Sequence, residues 1–201
     1  MKTAWYILRH PVEGFWRMKY ESLGRLSHGL VLLALAVLAE IFNRQARAFI
    51  FNDQYNVPLS LAKEIGLVLL PVGLFCLANW AITTLMDGKG TMKDIFLVTC
   101  YSLLPLILFW LGTPLISHLL SLNDAAYLHL LDAFGYLWMG LMMFIGIQQV
   151  HEYSFGRMFS TLLLTLVSAL IVVFIALLFF SLLQELYAFL YSIYRELSLR
   201  L

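Results

Sequence analysis

The chain has 201 residues and a formal net charge of +1; 62% of it is hydrophobic and only 12% charged, with a mean hydropathy of +0.85. Water-soluble domains carry about 25% charged residues, so the polar coat of a soluble globule is missing and a bilayer is the expected solvent. The small net charge leaves little attraction for a phosphate backbone, and no nucleic-acid partner is expected.

Residues 1–25 are punctuated by Lys2, Arg9, Pro11, Glu13, Arg17, Lys19 and Glu21, which excludes the apolar core of a cleavable signal peptide. Phe15, Trp16 and Tyr20 alternate there with Arg17 and Lys19. Aromatic rings and long basic stems favour the headgroup region. We therefore expect a cytoplasmic, interfacial segment over 1–25 and a single transmembrane domain over 26–201.

A hydrocarbon core of about 30 Å needs about 20 apolar helical residues at about 1.5 Å each. Five stretches qualify, at about 26–44, 65–86, 95–122, 127–150 and 158–184. The fold class is thus all-α, a polytopic bundle of about five spans. Residues 43–51 read either as a short surface helix or as a continuation of the first span. Asp87-Gly88-Lys89-Gly90 joins spans two and three as a compact turn, with its glycines available for positive φ. Asn123 or Asp124 is the expected N-cap of span four. Beyond Gln184 the apolar pattern runs on through Leu186, Leu190, Ile193 and Leu197, so the last helix is expected to outrun the membrane.

Cationic residues set the orientation. With the N-terminus inside, Lys2, Arg9, Arg17, Lys19, Arg25, Lys89, Lys93 and Arg157 lie in the cytoplasm, whereas Arg44, Arg47, Lys63, Arg195 and Arg200 lie outside. The excess sits beside the first span, and the plasma membrane is the expected location.

Glu40 and Asp132 are ionisable groups at membrane depth and therefore candidates for function. Each lies within two turns of a predicted helix end, where a paired, interfacial carboxylate is the plainer reading. Asn79 and Thr83 share a face of span two, beside Trp80, and groups of this kind hydrogen-bond between helices. Tyr101, Ser102 and Pro105 mark a predicted kink, whose freed carbonyl Ser102 or a neighbouring helix would satisfy. Cys76 and Cys100 lie in apolar runs and read as buried small hydrophobes. His118, His129, His151, Asp132 and Glu152 are scattered without metal-ligand spacing, and Gly88-Lys89-Gly90 is too short for a P-loop. No catalytic residue, metal or cofactor is expected.

The order Asn79-Trp80, Thr83, Asp87-Gly88-Lys89-Gly90, Tyr101-Ser102 and Pro105 resembles the bacterial branch of the Yip1 domain family. So do His10-Pro11, Gly14-Phe15 and Lys19 before it, and Gly146 with His151-Glu152-Tyr153-Ser154 after it. The resemblance implies a five-span membrane protein with a cytoplasmic N-terminus. Eukaryotic relatives bind Rab-type GTPases and related membrane proteins. Their long acidic N-terminal region has no counterpart in residues 1–25, so GTPase binding is not expected. The expected role is a non-enzymatic scaffold or adaptor that contacts another membrane protein or a second copy. The alternative is a small transporter, channel, lipid-handling protein or transport accessory, with Glu40, Asn79, Tyr101 and Asp132 around a polar cavity.

Overall fold

The computed structural model describes residues 2–21, 24–52 and 56–200. Two short helices precede the first span, α1 (Lys2–Arg9) and α2 (Pro11–Tyr20). Proline suits the first turn of a helix and discourages helix before it, so the chain turns at His10 and restarts at Pro11. Ile7, Phe15 and Met18 point inward and are buried, whereas Trp5, Trp16 and Tyr20 are about half exposed. That division suits an element lying along the headgroups with one face on protein.

The spans follow as α3 (Leu26–Ala46), α4 (Leu61–Leu85), α5 (Met92–Ser102) with α6 (Leu104–Ser117), α7 (Ala125–His151) and α8 (Phe155–Arg200). Five helical stretches are long and apolar enough to cross a bilayer, with α5 and α6 counted together as the third. Among the described residues there is no strand. The protein is an all-α, multi-pass membrane protein.

Residues 43–51 split between the two readings: α3 runs on to Ala46, and Phe49–Phe51 forms a separate 3-10 turn. Ser121 and Asp124 form a capping box at a 3-10 turn that leads into α7. The Asp124 carboxylate there accepts from the Ser121 backbone N–H at 3.1 Å and its hydroxyl at 2.7 Å.

The third span is the pillar of the bundle. Its most apolar window is 67% buried, against 28% or less for every other span. α5 packs on α3, α4 and α7, α6 packs on α3 and α7, and α8 lies along α4. The pillar breaks at Leu103 because Pro105 has no N–H to give the preceding turn. The Leu103 N–H bonds the Cys100 carbonyl at 3.3 Å. Ser102 does not do the work expected of it: its buried hydroxyl has no partner. Cys76 and Cys100 are buried free thiols.

α7 reaches the pillar through Gly146. A Cβ at that position would stand 2.5 Å from Val98 Cγ1 and 3.1 Å from the Phe15 ring. Val98 and Phe15 are wholly buried, so neither can withdraw. Gly140, two turns earlier, has open space around it. Gly146→Ala is expected to destabilise the bundle by about 1–3 kcal/mol through overpacking, whereas Gly140→Ala is expected to leave it unchanged. Thermal unfolding of the two purified variants in one detergent checks this.

Candidate functional site

Polar side chains gather at the two ends of the bundle. The near end carries α2 and the two short turns, one between α4 and α5 and the other between α7 and α8. These turns hold motif pieces far apart in sequence and meet face to face.

Asp87 and Glu152 each begin a turn in the left-handed region, at φ 51° and 55°. No described glycine has positive φ, which corrects the expectation for Gly88 and Gly90. Aspartate tolerates that conformation, and the glycines serve a different need. A Cβ on Gly88 would sit 2.3 Å from His151 Nδ1, and one on Gly90 would sit 2.5 Å from Val150 Cγ1. The His151 ring therefore lies against bare backbone, with the Gly90 N–H donating to Nδ1 at 3.2 Å. A neutral ring that accepts at Nδ1 carries its proton on Nε2, and Nε2 is buried without a partner.

The same end is tied by longer side chains. Lys19 Nζ donates to the Val150 carbonyl at 2.6 Å. Lys89 and the Tyr20 hydroxyl both donate to the Glu152 carboxylate. Tyr153 stacks on His151, and its hydroxyl donates to the Met86 carbonyl at 3.2 Å. Arg157 donates to that carbonyl too and lies over the Tyr153 ring.

Asn79 and Thr83 are buried one layer deeper. The Asn79 amide donates to Thr165 Oγ1 of α8 at 3.1 Å, and the Thr83 hydroxyl donates back to the Asn79 carbonyl at 2.8 Å. Trp80 points away from this pair and is 47% exposed. Tyr101 is buried in the core.

At the far end Arg47 bridges helices. It donates to both Asp132 oxygens, at 3.0 and 2.8 Å, and to Asn43 Oδ1 at 3.2 Å. Arg44 pairs with the buried Glu64 and donates to the Val57 carbonyl at 3.2 Å. Glu40 joins the group, with Oε2 buried and unpartnered. The Ala48 N–H donates to Ser117 Oγ at 2.9 Å, and the His118 ring meets the Ala46 carbonyl at 2.8 Å.

Glu40 and Asp132 thus converge around Arg47, while Asn79 and Tyr101 keep separate neighbours. Asp87, Gly88, Gly90 and His151 converge at the opposite end. Arg47 and Glu64 were legible in the sequence only as charges outside the spans, and Arg44 only as the end of the first span. Their signal was the three-residue spacing of Arg44 and Arg47, on one face with Glu40. Among the described residues no group of three or more His, Cys, Asp or Glu is placed to hold a metal ion.

Residues 5–178 match the Yip1 domain. The chain belongs to the Yip1 domain family. No curated protein and no solved structure matches it. In this Yip1-domain protein several of the segments that carried the resemblance meet at the near end, whereas Asn79, Thr83, Tyr101 and Pro105 lie deeper in the bundle. Phe15 packs on Gly146, and the 87–90 turn packs on His151.

Glu152 provides a titration test of that end. Its carboxyl is held below the usual glutamate range by the hydrogen bonds from Lys89 and Tyr20. A lowered folded-state pKa contributes stability above the ordinary value near 4.5, and that contribution disappears as pH falls through the lowered pKa. Wild type is therefore expected to melt above Glu152→Gln at neutral pH, with the gap closing as pH falls through the lowered pKa of Glu152. Melting curves of both proteins across pH check it.

Proposed function

We propose that this Yip1-domain protein is a non-enzymatic scaffold or adaptor of the plasma membrane, with its N-terminus in the cytoplasm and its C-terminus outside. It acts through helix–helix contacts with another integral membrane protein or a second copy of itself. The observation that carries this reading is the last helix. α8 has 46 residues and is about 69 Å long at about 1.5 Å per residue, more than twice a hydrocarbon core of about 30 Å.

Every residue from Leu170 to Glu196 is exposed. Leu183, Leu186, Leu190 and Ile193 recur at alternating three- and four-residue steps, the spacing of a helix-pairing seam. Lipid cannot cover the whole of so long an apolar helix, and water is a poor solvent for the remainder. A partner helix satisfies both stretches. Trp80 and the open face of α7 around Gly140 offer further apolar contact surface. The separate neighbours of Asn79, Tyr101 and the Glu40–Asp132 pair favour this packed bundle over a polar conduit.

Crosslinking in native membranes, gentle extraction and mass spectrometry test the reading. A stoichiometric membrane partner or a homo-oligomer is expected, and it is lost on truncation after Gln184 while the melting temperature of the bundle is retained. A lone monomer with or without the extension would contradict it.

A further inference from the structure

α8 leaves the bundle at Ala169, and its departure leaves a groove. The cavity has a volume of about 490 Å³ and lies between α4, α6, α7 and α8, lined by Leu67, Phe75, Trp110, Met139, Met143 and Ala169 among others. That volume falls in the range of ligand pockets, about 300–1,000 Å³. Leu67 of α4 and Leu166 of α8, which both line it, are each about half exposed, so the groove opens sideways.

From Leu67 to Phe75 the groove follows α4 for about 12 Å, at about 1.5 Å per residue. Leu67 also lines a second, polar recess of about 180 Å³, formed with Glu40, Asn43, Arg44, Arg47 and Glu64. An apolar channel within the span and a charged recess at its far end therefore share a wall.

The recess has an unmet need. Arg44 is committed to Glu64, and Arg47 to Asp132, which leaves Glu40 as the one formal charge in excess among these five. Glu40 Oε2 is buried and has no hydrogen-bond partner. A buried acceptor without a donor costs about 1–3 kcal/mol, more when charged. What fits is a positively charged donor placed at the far end of an apolar chain.

We propose that the groove and recess together bind one membrane phospholipid with an ammonium headgroup. Its acyl chain fills the groove, where an empty gap would forfeit van der Waals contact, and its ammonium donates to Glu40. The apolar wall supplies little preference among lipids, because lipid tails are as apolar as leucine. Selectivity comes from Glu40.

Photolabelling of the full-length protein in nanodiscs tests this. The probes are phosphatidylethanolamine and phosphatidylglycerol, each carrying a diazirine in the acyl chain, and labelled peptides are mapped by mass spectrometry. The ethanolamine lipid is expected to label the α4 and α7 groove segments around Phe75 and Met143 above the exposed α8 segment around Phe174. It should exceed the glycerol lipid there by about tenfold, the worth of one charge-assisted hydrogen bond. Ala169→Phe is expected to remove the groove labelling and leave the Phe174 segment unchanged. Glu40→Gln, nearly isosteric, is expected to erase the headgroup preference. Groove labelling no stronger than at Phe174, or indifferent to Ala169→Phe, would mean ordinary annular lipid and overturn the proposal. Groove labelling without headgroup preference in the wild type would overturn the role given to Glu40.

Discussion

A polar group inside a bilayer must find its partner within the protein, because the hydrocarbon offers none. Arg47 shows most clearly how this chain meets that constraint. One guanidinium on a stretch that follows the first span holds Asp132 of α7 and Asn43 of α3 together, while its neighbour Arg44 holds Glu64 of α4. Three spans are thereby tied to one another at the far end of the bundle. Between the two polar ends the interior is mainly apolar, with Tyr101, Ile95, Leu97 and Met142 among its most buried side chains and Asn79, Thr83 and Thr165 as a small hydrogen-bonded exception. In lipid such a core gains from close packing rather than from hydrophobic exclusion, which explains why the tight approach at Gly146 matters.

The near end follows the same constraint with different chemistry. Its ties are mostly to backbone carbonyls: Lys19 to Val150, and Tyr153 and Arg157 to Met86. Such bonds depend on the path of the chain, so they hold the two turns in place only while Asp87 and Glu152 keep their left-handed conformation. The bare backbone of Gly88 and Gly90 then admits His151. Motif pieces some sixty residues apart thus form one contact, and this end of the fold is continuous from α2 through to α8.

The spans were largely legible in the sequence, because length and apolar composition alone define a crossing helix. The proline break and the over-long last helix could be read in the same way. Pairing could not. Hydropathy locates Glu40 and Asp132 at membrane depth but says nothing of Arg47 between them, since that residue lies beyond the run that defines the span. Glu64 sits one residue before the expected start of the second span and is buried all the same. The Gly88–Gly90 turn is another case: a Gly-rich turn suggests positive φ, and only three-dimensional proximity to His151 reveals that the missing Cβ is what counts. Ser102 is a similar case: its place before a proline suggests a helping hydroxyl, yet the buried group has no partner.

All of this rests on the two polar ends lying on opposite sides of the membrane. Single cysteines in intact cells, labelled with a membrane-impermeant thiol reagent, test that most directly. Lys63→Cys and Lys89→Cys are both exposed sites, and the buried Cys76 and Cys100 leave a quiet background. The account predicts labelling of Lys63→Cys in intact cells and of Lys89→Cys only after permeabilisation. Labelling of both from the same side would contradict it.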